Sequence, residues 1–156
     1  MKINLIAIGV NMPDWVNDAF EEYRKRLPKS CQLHLKEINS KLSLKSIAAE
    51  TIQQKETEQL MQACAADDLM IALDKEGLPW NTCELSQQLK NWQQTGKNVS
   101  LLVGGPEGLA KKLLPARTTC WSLSALTFPH PLVRVILAEQ IYRAWTILQG
   151  HPYHRS

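Results

Sequence analysis

The sequence predicts a single α/β domain: a Rossmann-like parallel sheet with helices on both faces. Two observations carry that expectation. Short apolar runs alternate with segments of helical periodicity from one end of the chain to the other. The runs are also apolar at consecutive positions, as strands covered on both faces are, rather than alternating with polar residues. At 156 residues the chain suits one domain spanning residues 1–156, and no repeat, low-complexity tract or linker divides it.

Residues 3–10 form the first apolar run and read as a strand. Pro13 opens a helix in which Trp15, Val16, Ala19, Phe20 and Tyr23 recur at helical spacing, ending near Pro28. Residues 31–38 alternate weakly, with His34 and Lys36 set between Leu33 and Leu35, and read as a second strand. Residues 43–65 predict a long helix with a polar face, and 69–73 a third strand with 74–80 as the loop behind it. Asn81 with Glu84 has the form of a capping box, opening a helix that stops at Gly96. Residues 99–103 are the fourth strand, 121–123 the fifth, and 132–149 a long last helix.

In a sheet of this kind ligands sit beyond the carboxyl ends of the strands. Those positions are the loops after Leu73, Val103 and Leu123, so three loops are expected around one pocket. The last helix carries apolar residues around nearly its whole circumference, which marks it as buried. Either it is a central core helix, or a second copy of the chain completes its burial in a homodimer.

Composition excludes several classes of function. Hydrophobic residues at 44% and charged residues at 21% rule out a disordered chain. A net charge of +3 permits an RNA partner without demanding one. Cys31, Cys64, Cys83 and Cys120 are scattered without metal-ligand spacing, which predicts reduced thiols, a cytoplasmic location and no metal. The apolar N-terminus is broken by Asn4 and followed by Pro13-Asp14, unlike a secretory signal. No segment approaches the roughly 20 apolar residues that span a bilayer, so no membrane partner is expected.

Three motifs remain. Gly104-Gly105-Pro106-Glu107-Gly108 follows a strand but lacks the G-K-[ST] of a phosphate loop, and Pro106 has no N–H to offer a phosphate. It reads as a tight turn that lets backbone approach a ligand closely. The segment Leu123-Ser124-Ala125-Leu126-Thr127-Phe128-Pro129-His130-Pro131 is apolar where loops are usually polar, and suits a wall for a flat group such as adenine. His130 reads either as catalytic or as a residue at the helix start with its ring nitrogen satisfied. The tail, Gly150-His151-Pro152-Tyr153-His154-Arg155-Ser156, gathers groups that stack on bases, exchange protons and grip phosphate. Arg24-Lys25-Arg26 reads as a solvated helix end.

Taken together, Leu73-Asp74, the glycine loop, residues 123–134, Glu139-Gln140-Ile141-Tyr142-Arg143-Ala144 and His151-Pro152-Tyr153-His154-Arg155 resemble the ribosomal RNA large subunit methyltransferase H family. The resemblance covers the whole chain and is most specific in its C-terminal half. It implies a SPOUT fold, in which the C-terminal part of a Rossmann-like domain is threaded into a trefoil knot. It implies N3-methylation of the pseudouridine at position 1915 of 23S rRNA within the ribosome, with S-adenosyl-L-methionine as donor. Matched residue by residue, the donor lies against Leu73, Gly104, Leu123, Ser124, Ala125, Leu126, Thr127 and Phe128. His154 becomes the expected base for the N3 proton, Arg155 the stabiliser of the developing anion, and Tyr153 a third catalytic or stacking group. The tail of one subunit is expected to complete the pocket of the other. Two rivals stand beside this reading. One is a SPOUT methyltransferase acting on tRNA; the other is a non-catalytic ribosome-associated factor binding RNA through the tail and Arg24-Lys25-Arg26.

Overall fold

The computed structural model describes residues 1–43 and 45–155. Leu44, within the stretch expected to be helical, and Ser156, the last residue of the tail, lie outside them. Five strands, β1 (Lys2–Ile8), β2 (Gln32–Ile38), β3 (Leu69–Leu78), β4 (Val99–Val103) and β5 (Thr119–Trp121), form one sheet in the order β2-β1-β4-β3-β5. Every pairing is parallel. The helices are α1 (Asp14–Arg24), α2 (Ala49–Gln62), α3 (Thr82–Thr95) and α4 (His130–Leu148), with short 3-10 turns at Lys111–Leu113 and Pro152–His154.

The sheet is covered unequally. On one face α1, α3 and α4 enclose the larger core, in which Ile3, Leu5, Leu101, Leu137 and Ala144 are fully buried. On the other face α2 sets Leu60 against Ile6, Met70, Ala72 and Leu102. The central strands β1 and β4 are thus apolar on both sides, which is why their sequences run without alternation. The expected capping box is present: Asn81 accepts from the Glu84 N–H, and Glu84 accepts from the Asn81 N–H. Gly96 closes α3 with a φ of 70°, a left-handed cap that glycine takes without strain.

Several boundaries differ from the sequence reading. Residues 74–78, expected as loop, extend β3, with a register shift against β5 between Leu73 and Leu78. Gly77 lies in the stretch expected as loop, but a Cβ there would lie 2.6 Å from the backbone of Cys120 and Trp121. The glycine serves close backbone approach, not chain reversal. The strand expected at 121–123 pairs two residues earlier, because Leu123 leaves the ladder for the loop beyond it. α2 is shorter than expected, and α4 starts at His130, with Pro131 in its first turn. Trp15, counted in the apolar stripe of α1, is 55% exposed, whereas Val16 and Phe20 bury.

The last helix is not uniformly apolar inside. α4 packs between α1 and α3 and buries Arg134, which is 1% exposed, beside Leu137, Ala138 and Ile141. Its guanidinium donates to Glu37 at 2.6 Å and to the Gly9 carbonyl at 2.8 Å. One side chain thereby fastens α4 to the carboxyl ends of β1 and β2. Leu132, Val133, Val135 and Ile136 remain half-buried along the outer flank.

Candidate functional site

The loops after β3, β4 and β5 meet around one cavity of about 940 Å³. It is lined by all eight residues expected to hold the donor: Leu73, Gly104, Leu123, Ser124, Ala125, Leu126, Thr127 and Phe128. Its volume lies at the upper end of the range usual for small-molecule sites. The apolar walls are Leu73, Val103, Leu123, Phe128 and Val133, while Leu126, 72% exposed, stands at the mouth. Within the 123–128 loop the hydroxyls shape the turn itself: Ser124 Oγ accepts from the Leu126 N–H and Ser122 Oγ donates to the Ser124 carbonyl.

The glycine loop is held from behind. Gly108 N–H donates to the Gly105 carbonyl at 2.9 Å, and Gly108 has a φ of +75°, which a side chain would strain. From α2, Gln53 donates to the Glu107 carbonyl and Thr57 Oγ1 accepts from the Ala110 N–H, both at 2.9 Å. Buried Glu56 presses against Gly105, where a Cβ would come within 2.9 Å of its Oε1. The expected reason for glycine at 104 changes in this setting. A Cβ there would meet the Gly108 backbone at 3.0 Å, so glycine serves the closure of the loop.

His130 lies on the cavity wall at the first turn of α4. Its Nε2 faces the Arg134 guanidinium at 3.3 Å. Burial, reinforced by the Arg134 charge, holds the imidazole below its ordinary pKa and so favours the neutral ring. Of its two sequence readings, the geometry matches the satisfied residue at a helix start.

Sequence reasoning missed the charged rim. Lys111 Nζ lies 2.5 Å from Glu76 and 3.5 Å from Asp74. Hydrogen bonding to Lys111 holds the Glu76 carboxyl below the usual carboxylate range and raises the ammonium. Two residues at the end of one strand and one in a distant 3-10 turn share no sequence signal. Among the described residues, no group of three or more His, Cys, Asp or Glu side chains is placed to hold a metal ion. Nor, among those residues, is any helix long and apolar enough to cross a membrane.

The three tail residues do not line this cavity within the protomer. Tyr153 folds back on α4, its hydroxyl donating to Glu139 at 3.1 Å and its ring meeting Tyr142 edge-on at 4.7 Å. The Arg143 guanidinium lies 5.0 Å from the same ring. Burial first, then hydrogen bonding to Tyr23, pushes the Tyr153 phenol far above its ordinary range. His154 is half-buried, its Nδ1 enclosed without a hydrogen-bond partner, and Arg155 is exposed.

An open parallel sheet with a strand-end cavity has many possible uses, and comparison with known proteins narrows them. Residues 1–154 match the family described as "Predicted SPOUT methyltransferase". The chain belongs to the SPOUT methyltransferase family. It is 51% identical to a protein of Thioalkalivibrio sulfidiphilus and 49% identical to one of Hahella chejuensis, each over 156 residues and the full length of both chains. Both relatives are named ribosomal RNA large subunit methyltransferase H. Membership of the family implies a methyl-donor cofactor, and the residues present suit one. Apolar walls flank the cavity and the glycine loop exposes backbone to it, while the carboxylates of Asp74, Glu76 and Glu107 on its lining favour rather than oppose a cationic sulfonium.

Proposed function

We propose that this protein transfers a methyl group from S-adenosyl-L-methionine to N3 of the pseudouridine at position 1915 of 23S rRNA, acting on the ribosome as a homodimer. The observation that carries the reading is the convergence of Leu73, Gly104 and residues 123–128 on one cavity, in a chain half identical to two rRNA large subunit methyltransferases. A cytoplasmic location and the knotted threading of the C-terminal half accompany this reading as implications of the family.

The bound donor supplies an electrophilic methyl group. The chain's part is to hold adenine against the 123–128 wall, to align the acceptor and to dispose of its proton. In this reading His154 takes the N3 proton and Arg155 stabilises the negative charge that develops on the base carbonyls. Tyr153 acts as an anchor: its phenol is committed to Glu139 and its ring to Tyr142. Along α4, the cavity contact at Val133 and the tail contact at Tyr142 are about 13 Å apart at 1.5 Å per residue. A tail docked there is better placed to complete the cavity of a second subunit than its own. The half-buried apolar residues Leu132, Val135 and Ile136 support such a pairing.

The test is direct. Purified protein, S-adenosylmethionine and ribosomal particles lacking the modification are incubated, and the rRNA is digested and analysed by mass spectrometry. A gain of one methyl group on the pseudouridine is expected; an unmodified pseudouridine at full protein occupancy overturns the reading.

A further inference from the structure

Outside the cavity, the last turn of α1 and the loop after it bring Arg24, Lys25, Arg26 and Lys29 together. A second, smaller hollow of about 230 Å³ lies among Arg24, Lys25, Leu27, Lys29, Gln32 and His34, along the edge strand β2. Two carboxylates serve three of these four cations. Glu21 holds Arg24 at 2.7 Å, and Glu22 is shared between Lys25 at 2.5 Å and Arg26 at 2.6 Å. Lys29 has no carboxylate within ion-pair distance among the described residues. The helix end is solvated, as its sequence implied, but it is also concave and keeps an excess of positive charge.

Arg26, next in sequence to Lys25 on the hollow's lining, links this helix end to the tail. The Arg26 guanidinium lies over the rings of Tyr23 and Tyr142, at 5.6 and 5.7 Å, and Tyr142 in turn carries Tyr153. A polyanion engaged by the tail therefore meets this basic edge next. We propose that the groove from Lys25 through Lys29 to His34 docks the sugar-phosphate backbone of the RNA whose target base the tail engages. This rests on the rRNA methyltransferase reading above. Lysines at its rim act as point charges, which position a phosphate chain without reading its sequence. A net charge of only +3 leaves this local excess as a means of orientation rather than of bulk attraction.

The experiment compares the parent protein with Lys25→Glu/Lys29→Glu and with the milder Lys25→Gln/Lys29→Gln. Both positions are exposed, so the variants are expected to fold and to bind S-adenosylmethionine like the parent. Expected are a raised KM for ribosomal particles and weaker binding to protein-free large-subunit rRNA. The slope of log affinity against log salt becomes shallower by about one for each lysine neutralised. Parent-like KM and salt slope in both variants overturn the proposal. So does a loss confined to ribosomal particles with binding to protein-free rRNA unchanged, which would assign the groove to an acidic protein surface. Failure of the parent itself to methylate rRNA removes the underlying reading, and with it this one; that failure is seen in the parent rather than in the variants.

Discussion

Replacing Arg134 by Met tests how the cavity is tied to the core. The side chain is 1% exposed, with one bond to Glu37 and one to the Gly9 carbonyl. Breaking a fully buried ion pair costs about 3–5 kcal/mol. Glu37 is 33% exposed and can turn towards water, which lowers that cost. The Gly9 carbonyl loses its donor, at about 1–3 kcal/mol. Met keeps the volume and helix preference of the site, so the net loss is about 3 kcal/mol, or about 6–12 °C in Tm for a domain of this size. Glu37→Leu alone strands a buried guanidinium and costs at least as much. The double variant Arg134→Met/Glu37→Leu removes both charges and leaves only the Gly9 carbonyl without its donor, so its loss falls to about 1–3 kcal/mol, well below the sum of the singles. Thermal and denaturant unfolding of all four proteins form a double-mutant cycle. Refutation would be a Tm for Arg134→Met within about 2 °C of the parent, or a double variant whose loss equals the sum of the singles.

Four further outcomes follow from the geometry. His130 is held below its ordinary pKa, so the unfolded chain binds its proton more readily. Stability therefore falls as pH drops below the ordinary imidazole value of about 6.5, until the folded ring also protonates; unfolding of His130→Gln as a function of pH should lack that component. Deleting Tyr153–Ser156 should leave the fold and cofactor binding intact but abolish methylation, whereas His154→Ala should lose less turnover at high pH and Arg155→Ala should lose it at every pH. Gly104→Val should distort the glycine loop and abolish donor binding by calorimetry, and heterodimers of that subunit with a tail-deleted one should regain activity through a single intact hybrid site. Burial pushes the Cys31 thiol up to about 11, so in a thiol titration of native protein at pH 8 exposed Cys83 reacts promptly and Cys31 only on unfolding.

Much of the architecture was legible because local signals agreed with the fold. The capping box at Asn81 and Glu84, the stop at Gly96 and the doubly covered run 99–103 each follow from a single rule, and each stands where expected. The three strand-end loops were legible for a topological reason: alternation of strands and helices orders the strands in parallel and so collects their carboxyl ends. What sequence concealed depends on contacts between distant segments. Gly77 fell within the expected loop 74–80 because the backbone it packs against, at Cys120 and Trp121, lies more than forty residues away. Arg134 looked like one charge in an apolar helix, with nothing local to mark Glu37 and Gly9 as its partners. The tail advertised its chemistry but not its docking on Tyr142 and Glu139, which places it away from the cavity it is proposed to serve.

The tether between α2 and the glycine loop bears on how this protein tolerates change. Gln53 binds a carbonyl at residue 107 and Thr57 binds an amide at residue 110. Neither bond involves the side chain of its loop partner, so substitutions at 107 and 110 leave both attachments in place so long as the loop backbone keeps its path. The burden of identity falls on the helix, where Gln53 and Thr57 have few substitutes of the same reach and polarity. As far as this tether is concerned, side chains at 107 and 110 are free to change, while on α2 those of Gln53 and Thr57 are not.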